Sequence, residues 1–254
     1  MHTPLRFAER QPLVFSLLIL ALLLAVNAAG VAAAQAMSLP PQSFSLVTEI
    51  VVVIVLAIVV SAMRWWREIG FRKAESPKAL LWFLPALALT AGSLSFGIYT
   101  TEIRALLVFA VLAAASGFVE ETIFRGLMLR AFLPRGAWTA VLVPSVIFGL
   151  SHAANLLAGA DPLVTGVQIL YALAIGIGFG AVAVKTRLIW PLVIAHGLGN
   201  FFSFINAPTN QALTGSLLTH FLVVTSAYVV LFTAYGLYLM LHKEPVERLT
   251  GESA

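Results

Sequence analysis

Apolar residues in this chain do not alternate with polar ones; they come in blocks of about twenty, joined by short polar segments. Eight such blocks predict helices over residues 12–35, 45–63, 79–97, 103–130, 137–157, 163–184, 188–206 and 217–241. A helix crossing the roughly 30 Å hydrocarbon core needs about 20 apolar residues, so each block is long enough to span a bilayer. Within lipid each segment must satisfy its own backbone hydrogen bonds, which makes these blocks helices. The expected fold is all-α: a polytopic integral membrane protein of about eight transmembrane helices, forming a single membrane domain over residues 1–254. Its last span is 217–241, followed by a tail over 242–254. Pro144 and Pro191 fall inside predicted spans, where each predicts a kink or the start of a turn.

Composition supports this picture. Hydrophobic residues make up 60% of the 254 and charged residues only 10%, and the mean hydropathy is +0.97, which excludes an ordinary soluble globular domain. The absence of cysteine removes disulfides, thiolate catalysis and sulfur-ligated metals together. The net charge of +4 calls for no nucleic acid, because the basic residues flank the spans. If the N-terminus is cytoplasmic, all but one of the 15 basic residues, Arg104, fall on the cytoplasmic side. That asymmetry predicts a multi-pass protein with both termini, including the 242–254 tail, in the cytoplasm. Residues 1–36 carry a competing reading. Arg6 and Arg10, the apolar run from Pro12 to Val26 and the small residues up to Ala34-Gln35-Ala36 resemble a cleavable signal peptide. The apolar run outlasts a usual signal core, so a first span is the preferred expectation.

Few ionisable groups remain at membrane depth: Glu120, Glu121, Arg125, His152 and His196, with Glu49 near the start of the second span. Each costs on the order of 2.5–3.5 kcal/mol at a helix centre and therefore faces partners or water. On an α-helix Glu121 and Arg125, four apart, share a face and predict an ion pair, while Glu120 is rotated by about 100° toward a different space. Phe148 and His152 lie one turn apart on the fifth span, with Asn155 close behind. His196 and Asn200 lie one turn apart on the seventh, with Gly197 and Gly199 between them to admit a close neighbour. Taken alone, each has a bland alternative: a structural salt bridge, an interhelical hydrogen bond, tight packing. At 1.5 Å per residue Glu120 lies about 15 Å from Arg130, His152 about 25 Å from Arg135, and His196 and Asn200 about 14 and 20 Å from Arg187. These depths permit one common site, with His152 lying deeper than the rest.

Glu120-Glu121-x-x-x-Arg125, Phe148-x-x-x-His152 and His196-x-x-x-Asn200, in this order on separate apolar helices, resemble the three motifs of the CPBP family. That family includes type II CAAX prenyl endopeptidases and bacterial members (Abi) linked to bacteriocin processing and self-immunity. The resemblance implies a bundle enclosing an intramembrane cavity, with the catalytic core over 103–206. It implies an endopeptidase acting on a hydrophobic peptide or membrane-protein substrate within the lipid bilayer. Glu120 would be the general base, His152 would position water, and His196 and Asn200 would donate to the oxyanion. Glu121, Arg125 and Phe148 would support them from behind. No cofactor is favoured; the alternative is Zn²⁺ held by Glu120, His152 and His196 in a metalloprotease, although the chain lacks a His-Glu-x-x-His arrangement. Two further alternatives are an ion or proton transporter and a non-catalytic immunity scaffold.

Overall fold

The computed structural model describes residues 6–39, 44–206 and 214–242, and among these it contains helices, turns and no strand. Most of the expected tail, 242–254, lies outside the described residues. Eight long helical segments follow one another along the chain. They are α1 (Pro12–Ala36), α2 (Phe44–Met63), α3 (Pro77–Leu94), α4 (Ile103–Arg135), α5 (Ala137–Leu157), α6 (Pro162–Thr186), α7 (Trp190–Asn206) and α8 (Gly215–Leu241). Seven are long and apolar enough to cross a membrane by length and composition. The remaining one, α7, has 17 residues and is therefore roughly 25 Å long, at the short limit for a span.

Local chemistry explains the irregular stretches. Over Pro77–Leu87 α3 is a 3₁₀ helix with Pro85 inside it, and it becomes α-helical only over Ala88–Leu94; proline lacks the N–H that an α ladder needs. Pro144 differs from expectation, because α5 runs unbroken as α-helix through it to Ser151. Pro191 sits in the first turn of α7, where its missing N–H has no intrahelical partner to lose. The largest departure is in α4. Its α-helix stops at Glu121 and gives way to a π-helical stretch, Thr122–Met128. A widened turn of this kind is concentrated at functional sites.

The most enclosed helix is α6: 61% of its apolar window is buried, against 11–33% for the other spans that qualify. Outward-facing Leu24, Ile58, Val230 and Leu241 are strongly exposed, as expected of side chains that face lipid tails. Arg125, grouped above with the cytoplasmic basic residues, is instead buried inside the bundle.

Contacts sort the connections into two ends. At one end Arg6 pairs with Glu68 (3.1 Å) and Arg130 with Glu9 (2.7 Å). There Arg135 also donates to the carbonyls of Glu9 and Arg10, and Lys185 lies 4.5 Å from the Trp82 ring. The 64–73 segment folds back beneath the bundle here. Gly70, at φ +106°, lies so close to α7 that an added Cβ would stand 2.8 Å from the Ile189 nitrogen. Ile189 N–H donates to the Gly70 carbonyl and Trp190 Nε1–H to that of Arg72. At the other end Tyr99 N–H donates to Ile205, Asn206 Nδ2 donates to the Ser93 carbonyl, and Ser95 Oγ meets His220 Nε2 at 2.8 Å.

Candidate active site

The site is organised by the crossing of α4 and α7. Gly117 faces Gly197 so closely that a Cβ on Gly117 would lie 2.8 Å from the Gly197 nitrogen and 2.9 Å from the Val193 carbonyl oxygen. Two helices approach to this distance only where neither carries a side chain. Glu120 follows Gly117 by three residues and stays on its face, and His196 precedes Gly197, so the crossing brings carboxylate and imidazole together.

Two adjacent glutamates then divide the work. The Glu121 side chain is fully buried, and its Oε1 accepts from Arg125 Nη1 at 2.9 Å and from His196 Nδ1 at 2.7 Å. The expected Glu121–Arg125 pair therefore forms, across the opening of the π-helical turn rather than within a regular α-helix. The Arg125 guanidinium also lies 4.2 Å from the Phe148 ring and 5.4 Å from that of Phe179. Aromatic faces attract a cation that has lost its water, and this offsets part of the cost of burying it. Glu120, 29% exposed, opens into a cavity, and its Oε2 lies 3.5 Å from His196 Nε2.

With Nδ1 committed to Glu121, Nε2 is the nitrogen of His196 left facing Glu120: an acceptor when the ring is neutral, a donor when it is charged. A second chain of bonds closes the network. Asn200 Nδ2 donates to Ser116 Oγ (3.1 Å), and Ser116 Oγ donates to Glu120 Oε1 (3.2 Å). One amide hydrogen of Asn200 remains uncommitted by these bonds.

The cavity has a volume of about 640 Å³, within the range of ligand-binding clefts. Glu120, Phe148, His152, His196 and Asn200 all line it. His152 begins a 3₁₀ turn at the end of the α5 helix; its Nδ1 bonds the Phe148 carbonyl at 2.9 Å and its ring stands edge-to-face on Phe148. It thus shares the cavity without joining the Glu120–His196–Asn200 hydrogen-bonded network. Polar residues outside the three motifs also line the cavity, among them Ser116, Gln168 and Tyr171. Ser116 had a legible signal, one turn before Glu120 on the same face. Gln168 had none, because its partner Asn155, bonded through Nδ2 at 2.9 Å, lies across the α5–α6 connection.

The zinc alternative can be tested on these side chains. Among the described residues no group of three His, Cys, Asp or Glu side chains is gathered to hold a metal. His196 Nδ1 is on Glu121 and His152 Nδ1 is on a backbone carbonyl. With Nδ1 so held each ring keeps Nε2 for another partner, as metal-ligating histidines also do, but the three side chains are not gathered into a cage among the described residues.

Residues 102–202 match the family model described as type II CAAX prenyl endopeptidase Rce1-like. Over this stretch, about two-fifths of its length, the chain is similar to that family. The match spans all three motifs, from Glu120 to Asn200, and agrees with the CPBP resemblance those motifs carry. The matching description is that of a protease, and the helices on either side of the matched segment are long and apolar enough to cross a membrane. No curated protein and no solved structure matches the chain.

Proposed function

We propose that the protein is an intramembrane endopeptidase that hydrolyses a peptide bond in a hydrophobic, membrane-associated segment, using water activated by Glu120. The observation that carries this reading is the convergence of Glu120, Ser116, His196 and Asn200 on one wall of a single cavity. Glu120 takes a proton from water as the water oxygen attacks the scissile carbonyl carbon. The carbonyl oxygen becomes an oxyanion, which accepts from the free Nδ2–H of Asn200 and from His196 Nε2 when that nitrogen carries a proton. Collapse breaks the C–N bond, and the proton held by Glu120 passes to the leaving amine. His152, on the same cavity wall, orients the water. Glu121 and Arg125 hold the tautomer and orientation of His196, as a buried carboxylate does for a catalytic imidazole.

The Asn155–Gln168 pair is a docking point for substrate backbone. Once Asn155 Nδ2 has donated to Gln168 Oε1, the pair keeps an acceptor on Asn155 and donors on Gln168. An extended peptide presents the complementary N–H and C=O groups.

Replacing Glu120 with Gln tests the reading, because it removes the base and changes little volume. Cleavage of an apolar fluorogenic peptide by the purified protein in detergent is expected to fall by at least about 10²- to 10⁴-fold, with the unfolding midpoint unchanged. Retention of full activity by the folded variant would refute the mechanism.

A further inference from the structure

The position of the cavity within the bundle can be set against the distribution of charge. The cavity runs from Glu120, Phe148 and His196 at its floor to Phe96 and Tyr99 beyond α3, Val164 in the first turn of α6, Asn206 at the last residue of α7 and Leu217 in the first turn of α8. All of these outer positions belong to the end held together by the Tyr99–Ile205, Ser93–Asn206 and Ser95–His220 contacts. Below the floor the bundle is closed. Glu121 and Arg125 fill the space behind His196. Beneath them Gly126 packs against Ile69 and Ile189, where an added Cβ would meet both at 3.2–3.3 Å. Ile189, Leu192, Leu127 and Trp65 are buried at 1% exposure or less, with the 64–73 segment pinned across them by the Gly70–Ile189 and Arg72–Trp190 bonds. No residue of that closed end lines the cavity among the described residues.

The closed end is also the basic end. Arg6, Arg10, Arg64, Arg67, Arg72, Lys73, Lys78, Arg130, Arg135, Lys185 and Arg187 cluster there, whereas Arg104 is at the mouth end. Lysine and arginine are retained on the cytoplasmic side when short loops are inserted. We infer that the cavity opens to the non-cytoplasmic face, so that the polypeptide it takes is an apolar segment of an exported chain, presented after translocation, and not a C-terminus offered from the cytoplasm. The wall suits such a segment: Leu89, Val164, Leu217, Phe221 and Val224 are apolar, and the Asn155–Gln168 amides supply backbone partners. The identity of the occupant rests on the proposed peptidase reading; the sidedness does not.

The native chain has no cysteine, so single-cysteine variants report without background. Ser203→Cys and Val164→Cys place a thiol on the cavity wall and Arg67→Cys places one at the basic end. A membrane-impermeant charged maleimide is applied to right-side-out and to inside-out membrane vesicles carrying the full-length protein. Both cavity-wall variants are expected to label at least about tenfold faster in right-side-out vesicles, and Arg67→Cys at least about tenfold faster in inside-out ones. The reverse pattern would overturn the inference, and so would cavity-wall thiols that label only in inside-out vesicles. In a parallel arm, an internally quenched peptide with an apolar core and lysine tails is added to the same vesicles. Cleavage confined to right-side-out vesicles supports the exported substrate, and cleavage confined to inside-out vesicles overturns it. Expected labelling with no cleavage in either orientation or in detergent rejects the peptidase reading and leaves the sidedness supported.

Discussion

Asn200 has two amide hydrogens, and the bond to Ser116 fixes one so that the other is aimed without reorganisation. Such preorganisation is what makes a donor worth more in a water-poor site than in bulk solvent. Asn200→Ala is therefore expected to reduce kcat by about 10²- to 10³-fold, or about 3–4 kcal/mol of transition-state stabilisation, with KM little changed. Ser116 touches both Asn200 and Glu120 but is placed here as a positioning group. Ser116→Ala should lower kcat by roughly ten- to a hundredfold. Combining it with Asn200→Ala should add less than the sum, because both changes break one chain of bonds. Steady-state kinetics on the three variants checks this directly. Arg125 acts on stability instead. Arg125→Met strands the buried Glu121 carboxylate, and loss of about 3–5 kcal/mol is expected, read as a lower unfolding midpoint in detergent alongside slower turnover.

Among the elements, the decisive feature is the α4–α7 crossing and the π-helical turn that follows it. Gly117→Ala inserts a methyl group into a backbone-to-backbone contact. An over-packing cost of about 1–3 kcal/mol is expected, together with loss of activity as Glu120 and His196 are pushed apart. Gly166→Ala on α6 is the matched control, since a Cβ there meets nothing within 4 Å, and it should leave both midpoint and rate unaffected. Equal behaviour of the two alanine variants would separate the crossing from catalysis. One carboxylate oxygen of Glu121 serves two partners: Arg125 comes from the same helix and His196 from 75 residues further along the chain.

The whole molecule is a bundle whose periphery is apolar and which gathers Glu120, Glu121, Arg125 and His196 at the floor of a cavity and just behind it. Chelation is the corresponding test of the metal alternative. Cleavage by the purified protein is expected to be unchanged after treatment with a strong zinc chelator; loss of activity restored by added Zn²⁺ would contradict the Glu120–water mechanism. The one-turn helix Phe7–Arg10 is tied to the rest of the basic end through Glu9–Arg130, Arg6–Glu68 and Arg135. Weakening these ties, as in Glu9→Gln, should loosen that end before it affects the catalytic floor.

The spans, their order and the charge asymmetry between their ends could be read from sequence, because a bilayer forces each apolar block to satisfy its own backbone and lysine and arginine mark the loops they flank. The motif residues were legible for a similar reason: spacings of three and four along one helix decide which side chains share a face, as Glu121 and Arg125 do. Only tertiary structure decided that Gly117 meets Gly197, that His196 Nδ1 goes to Glu121 and leaves Nε2 to the cavity, and that Ser116 joins Asn200 to Glu120. The same holds for His152, which lies apart from that network, and for the 64–73 segment that seals one end. These outcomes depend on contacts between residues dozens of positions apart, whose geometry follows from helix packing and is not written in any local period.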